Sequence, residues 1–313
     1  MDVIHESIFD KVIEALHMPL NYLLDSNKRI NFLYLFTSVI LSIWVYVKIK
    51  PKNSFFQYLF NKKIWLSKSA KVDYSFIFFN GFIKVFIIAP FLIFGIYIAL
   101  DIDRLFYNIF GPSAIHLSEL QTIIFFTITI TLLGDLLSYI VHYLMHRIPF
   151  LWRFHKVHHS ATTLNPVTQY RIHPIELIIN NIRGLFVLSF TSGLFLYLTT
   201  FPIKPITFFG VNFLSFLFLM YGSNLRHSHV KLKYWNWLEN ILISPFQHQI
   251  HHSNDVKHYD KNLGAKLAIW DWLFGTLIKS KDIKKIKFGL GNEDAHYNTF
   301  FKNLFNPFLF KKH

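Results

Sequence analysis

Five stretches of the chain are apolar over lengths near or above the roughly 20 residues that a helix needs to cross a bilayer: Asn31 to Ile49, Phe76 to Leu100, Gln121 to Val141, Glu176 to Leu198 and Ile206 to Tyr221. Most qualify outright and the last is marginal. Any one of them alone reads as well as a buried core helix. Five of them in 313 residues, of which 52% are hydrophobic and 16% charged, leave too little polar sequence to solvate a globule. The expected class is an all-α integral membrane protein with about four to five transmembrane helices.

Charge placement orients these spans. Between the first two lie Lys48, Lys50, Lys52, Lys62, Lys63, Lys68 and Lys71, opposed by Asp73 alone, which puts this loop in the cytoplasm by the positive-inside rule. The second span leads to Asp101, Asp103, Arg104 and Glu119, with no positive excess. The third returns inward and delivers Arg147, Arg153, Lys156 and Arg171. The fourth and fifth stretches are expected to form a hairpin, spanning or re-entrant, turned by Pro202 and Pro205, and residues 231–313 to lie as basic helices against the membrane. At the other end, Met1 to Leu24 carries apolar residues near helical spacing at Ile8, Val12, Leu16 and Leu20. Its interrupting charges predict an interfacial helix rather than a cleavable signal.

The net charge of +14 points to anionic lipid headgroups rather than nucleic acid, because Lys and Arg flank the apolar runs and form no basic reading helix. The absence of cysteine excludes disulfides, thiolate-held iron–sulfur clusters and a cysteine-ligated haem within this chain.

Histidine carries the strongest chemical signal. Of 17 histidines, 12 fall between His142 and His258, in short regular clusters. His142 and His146 stand four apart at the inner end of the third span, on one helical face. His155, His158 and His159 form HKVHH, and His248, His251 and His252 repeat the spacing in HQIHH. On a helix the two neighbours of each doublet point about 100° apart, so one ion cannot easily take both, and two boxes suggest two ions. With His227 and His229 in RHSH the candidate ligands number ten. His5, His17, His116, His296 and His313 are read as ordinary surface or core residues. Imidazole suits zinc, copper, nickel and iron alike, so these residues do not choose the metal.

The set HxxxH, HxxHH, HSH and HxxHH, followed by KNLGAKLAIWDWLFGT, resembles the fatty acid hydroxylase and sterol desaturase superfamily from about Asp135 to Gly275. The resemblance implies two iron ions at the cytoplasmic membrane face, with dioxygen as co-substrate for hydroxylating or desaturating a lipid. It carries the ligand role to His142, His146, His155, His158, His159, His227, His248, His251 and His252. His229 stands where many relatives have asparagine and is expected as a ligand or a donor to one. His173, in RIHPIE, is expected near the site, orienting a ligand or facing substrate. Asp135, two helical turns before His142, is expected either to orient a ligating imidazole or to pair with Arg147 or Arg171. Glu176 is placed to orient His173, Asp271 to tie the chain's tail to the metal domain, and Trp152, Trp235, Trp237, Trp270 and Trp272 to anchor at the interface.

The chain shows no internal repeat and no nicotinamide, flavin, iron–sulfur or cytochrome segment, so electrons must come from an external donor, a reductase, ferredoxin or cytochrome. Lys281, Lys284, Lys285 and Lys287 offer it a basic face. Three parts are expected: an N-terminal membrane region over 1–120, a catalytic domain over 121–280 whose histidine-rich helices form a cytoplasmic metal-binding cap, and a basic cytoplasmic tail over 281–313. The bias toward Phe, Ile, Lys and Asn suggests an AT-rich genome, hence a bacterial inner membrane. It makes a fatty acyl, carotenoid or hopanoid-like substrate as reasonable as a sterol. A metal-dependent lipid lyase or ether-lipid cleaving enzyme would use the same boxes; a membrane metal transporter would need polar residues within the spans.

Overall fold

The computed structural model describes residues 7–281 and 283–309, so His5 and His313 lie outside the described residues. It is mostly helical. Four helical runs among the described residues are long and apolar enough to cross a membrane: Phe32–Ile49, Lys68–Phe110, Glu119–Arg147 and Pro174–Leu198. The chain is thus an integral membrane protein of four candidate spans with a histidine-rich cluster at one end of the bundle.

Helix α1 (Ile8–Asn21) opens on a capping box between Ser7 and Asp10 and leaves Ile8, Leu16 and Leu20 exposed. Helix α2 (Phe32–Ile49) follows. The second run is not a simple rod. It begins as α3 (Lys68–Phe82), passes through a π-helical turn at Ile83–Ile88 and a break around Pro90, and continues as α4 (Phe94–Phe110). Its 43 residues would extend about 65 Å if straight, twice what one crossing requires. Pro90 and the π turn are the identifiable causes of the break. The early part of α3 belongs to the cap, where buried Asp73 pairs with Arg171 at 2.7 Å.

Helix α5 (Glu119–Arg147) runs 29 residues from a Ser118–Gln121 capping box. At about 44 Å it is longer than a hydrocarbon layer of about 30 Å, and His142 and His146 lie in its last turns. Pro149 then starts α6 (Pro149–His159) and Pro174 starts α7 (Pro174–Leu198), each at the first helical position where its missing N–H costs nothing. Helices α4 and α7 approach so closely that a Cβ on Gly193 would lie 2.5 Å from the Ala99 carbonyl oxygen.

The fifth apolar stretch, marginal by length, does not span. It is a hairpin of β1 (Thr207–Phe208) and β2 (Val211–Asn212) followed by α8 (Phe213–Met220) of eight residues, about 12 Å long and too short to span. Phe209 and Gly210 both have positive φ, the two-residue turn that closes such a hairpin, and hydropathy does not register it. Residues 291–308 pack against the helices. Tyr297 and Phe300 pack on Phe76 and Val157, and Phe308 sits against Phe154.

Candidate metal centre

Nine histidines converge in two groups. His142, His146, His155, His159 and His251 form the first; His158, His227, His248 and His252 form the second. Within each group the candidate ligand atoms lie within 4.8 Å of one another. The helical rotation between neighbours explains the partition. On α6, His155 and His159 are four apart and serve the first group, while His158 turns to the second. On α9 (Pro245–His251) and its C-cap the roles exchange: His248 and His252 serve the second group, and His251 crosses to the first. A capping box between Ser244 and Gln247 and Pro245 at the first position fix where α9 starts.

The outer ring nitrogens fix the tautomers. His142 Nδ1 donates to the Leu263 carbonyl at 2.7 Å, His251 Nδ1 to the Lys261 carbonyl at 2.9 Å, and His158 Nδ1 to the Arg171 carbonyl at 3.1 Å. His155 Nδ1 donates to Glu176 Oε1 at 3.0 Å and His146 Nδ1 to Asp260 Oδ1 at 3.3 Å. All five rings therefore turn a bare Nε2 lone pair inward. The Nε2 atoms of His142 and His155 face each other at 3.1 Å with no proton to share. Protonating His155 is opposed by burial, which drives it down to about 3. The buried Nε2 atoms of His146 and His251 have no hydrogen-bond partner. Facing lone pairs repel unless a cation lies between them. Imidazole–metal bonds of about 2.1 Å separate adjacent ligand nitrogens by about 3.0 Å at right angles and about 3.4 Å in a tetrahedron. The observed separations of 3.1–3.2 Å fall between these. The first group fits a metal ion.

In the second group one ring differs. Arg226 Nη2 donates to His248 Nδ1 at 2.8 Å, which leaves the proton of that neutral ring on Nε2, 3.1 Å from His227 Nε2. The donor set suits a metal, but occupancy requires this Arg226 contact to rearrange. Burial and a neighbouring Arg29 hold Arg226 down at about 9.

One loop orients three rings of the first group. Asp260 and Asn262 adopt positive φ, which short polar side chains tolerate, and the chain turns so that Asp260, Lys261 and Leu263 meet His146, His251 and His142. Asp271 clamps the turn, accepting from the Leu263 and Gly264 amides at 2.7 and 2.8 Å and from Thr276 Oγ1 at 2.6 Å. Burial raises the Asp271 pKa, and these donors oppose the rise.

Other residues take places the sequence did not foresee. Asp135 Oδ2 accepts from the Leu267 amide and Trp270 Nε1, each at 3.0 Å, and touches neither His142 nor an arginine; Arg147 pairs with Asp260 and Arg171 with Asp73. His173 caps α7, its Nδ1 accepting from the Ile175 amide and its Nε2 donating to the Leu304 carbonyl, so neither nitrogen faces the groups. Glu176 reaches His155 instead of His173. His229 Nε2 donates to the Tyr58 carbonyl at 2.7 Å and joins neither group. Trp152 packs on His146 and His159, whereas Trp235, Trp237 and Trp272 are exposed as interfacial anchors would be. Asp260 and Arg226 had no role in the sequence reading; Asp260 lies directly before the KNLG motif, which is the one signal that could have marked it.

A cavity of about 350 Å³ opens onto both groups, reaching His142 and His155 of the first and His158, His227 and His248 of the second. Its walls come from α3 and the π turn, α5, α7 and the loop before α2. The size falls within the usual range for small-molecule sites.

Residues 127–276 match the fatty acid hydroxylase family. An alkylglycerol monooxygenase of Xenopus tropicalis is 28% identical over 173 residues, 51% of this chain and 32% of that protein. The ornithine lipid hydroxylase OlsE of Rhizobium tropici is 31% identical over 44% of this chain and 37% of its own length. A human cholesterol 25-hydroxylase is 30% identical over 47% of this chain and 48% of its own. The alignments thus span between a third and a half of these curated relatives. No solved structure matches the chain. Over this stretch the chain is similar to the fatty acid hydroxylase family, in line with the resemblance its histidine boxes carry.

Proposed function

We propose that this protein oxidises a membrane lipid with dioxygen at two iron ions, one held by each histidine group. The observation that carries the reading is the inward convergence of proton-free Nε2 atoms, 3.1 Å apart between His142 and His155, beside a cavity that touches both groups. Relatives named as lipid hydroxylases and monooxygenases support the reaction class. Iron pairs bound there would supply the redox chemistry for breaking an unactivated C–H bond. The chain's own residues do the rest. Glu176 and Asp260 hold the outer protons of His155 and His146 and bring negative charge toward the ions; the 260–264 loop fixes three rings; Trp152 covers His146 and His159 against water. Arg226 must leave His248 Nδ1 for the second group to fill.

In this reading the metal end faces the cytoplasm of a bacterial cell, beside the lysine-rich segments, and a separate electron donor docks on the basic face that includes Lys284, Lys285 and Lys287. Residues 1–120 form the membrane region and 121–280 the catalytic domain. The experiment loads the purified protein with ferrous iron, supplies a reductase and isotopically heavy dioxygen, and offers total bacterial lipid. A lipid carrying one heavy oxygen, or a desaturated one, is expected; unchanged lipid from fully iron-loaded protein with active reductase refutes the reading. An ether lipid in the same assay tests cleavage, the outcome that the alkylglycerol monooxygenases among the relatives favour.

A further inference from the structure

The cavity that reaches the histidines has an electrostatic imbalance that an apolar substrate would not relieve. Four cations, Arg29, Lys84, Arg183 and Arg226, line it, and Glu176, already engaged with His155, is its one lining carboxylate among the described residues. Asp135 lies behind the wall, where it accepts from Leu267 and Trp270.

Asp135 acts on Arg29, Arg183 and Arg226 only through space, and the hydrogen-bond partners of the four cations are neutral. Arg226 donates to the Gly264 and Ala265 carbonyls and to His248. Arg183 donates to the Gly134 carbonyl at 3.1 Å and to Ser138. Lys84 donates to the Tyr22 hydroxyl at 2.7 Å. Arg29 has no side-chain hydrogen bond or ion pair among the described residues, although burial acts against its charge. Lys84 and Arg183 lie on candidate spans, where an ionisable side chain is expensive unless it meets a counter-charge. Metal ions in the two groups would add to the positive potential.

We propose that the cavity takes a lipid bearing an anionic oxygen group, a carboxylate or phosphate, and that Arg29 binds that group, so that the substrate is an anionic amphiphile and not a neutral sterol or alcohol. This rests on the cavity being the substrate site of the oxidation proposed above. A guanidinium presents paired N–H donors that match either group, and Arg29, with no side-chain hydrogen bond of its own among the described residues, can turn them to it.

Binding tests this without turnover. The 313-residue chain, as purified in a neutral detergent and kept free of dioxygen and reductant, is titrated with hexadecanoate, hexadecyl phosphate and hexadecan-1-ol while tryptophan fluorescence is followed. The charged lipids are expected to bind at least about tenfold more tightly than the alcohol, the scale of a charge-assisted hydrogen bond. Arg29→Gln is expected to abolish that preference and leave alcohol binding as it was, whereas Arg29→Lys retains most of it. Equal binding of alcohol and anions overturns the proposal, as does equal weakening of both by Arg29→Gln. Inorganic phosphate that displaces hexadecyl phosphate at comparable concentration would make this a site for the free anion and overturn the lipid assignment. Lipid binding with this preference but no oxidation in the iron-loaded assay would refute the reaction and leave the anion site standing.

Discussion

Replacing Glu176 by alanine should weaken metal binding at the first histidine group by about 10- to 100-fold while the protein stays folded. The carboxylate accepts from His155 Nδ1 at 3.0 Å, and both side chains are almost wholly buried. A hydrogen bond to a charged group contributes about 1.5–3 kcal/mol, which at about 1.4 kcal/mol per decade is a factor of roughly 10 to 150. The range measured for residues that orient metal-bound histidines is about 10- to 100-fold, so the two estimates agree. Without Glu176 the ring can rotate or move its proton to Nε2, where it would block the lone pair that faces His142. Glu176→Gln keeps an acceptor at that distance, so its loss should fall between wild type and alanine. The assay is competition for ferrous iron against a chromophoric chelator without dioxygen, with thermal unfolding in detergent as the control. A change below threefold for Glu176→Ala, with unfolding unaltered, would refute the claim that this carboxylate sets the ring.

Two further substitutions probe the surroundings. Gly264→Ala places a Cβ 2.5 Å from the Leu267 carbonyl oxygen and 2.7 Å from Asp271 Oδ2; backbone cannot yield cheaply, so a loss of about 1–3 kcal/mol in stability is expected from unfolding curves, together with weaker metal retention as Leu263 shifts from His142. His173 is held neutral, and burial lowers its pKa to about 4 from the ordinary 6.5. Between these values the unfolded chain binds the extra proton, so stability is full above pH 6.5 and declines as pH falls toward 4, by about 2 kcal/mol at pH 5 from this ring alone. His173→Asn keeps a capping acceptor and removes the titration, so its unfolding midpoint should fall less than that of wild type between pH 7 and pH 5. Full activity per folded molecule is expected, and lost activity with an unchanged pH response would return the ring to a catalytic role.

The histidine spacing made the division into two groups legible, because the 100° step between His158 and His159 and between His251 and His252 is a property of any helix. The same arithmetic could not show that α6 and α9 exchange which member crosses, since that depends on how the two helices face each other. The 260–264 loop was invisible for another reason: Lys261 and Leu263 act through backbone carbonyls, which carry no side-chain signature. Glu176 was placed beside the wrong histidine because Pro174 starts a helix there, which turns the carboxylate inward to His155 while His173 caps the end. Hydropathy left Ile206 to Tyr221 open between a span and a re-entrant stretch because Phe209 and Gly210 turn the chain without adding polar residues. The four longer apolar runs fall on helices long and apolar enough to cross a membrane, since a helix satisfies its own backbone groups in lipid; the break at Pro90 inside the second did not show in hydropathy.

The central claim is that two metal ions occupy two separable histidine groups, and metal content tests it most directly. The untagged protein is loaded with ferrous iron, freed of excess metal and assayed by mass spectrometry beside His159→Ala and His252→Ala, which open the first and second groups respectively. Two irons per chain are expected in wild type and about one in each variant. The iron lost with His252→Ala should be the more weakly held, because Arg226 competes for His248. A folded wild type that binds no metal, or a single ion lost equally in both variants, would contradict it.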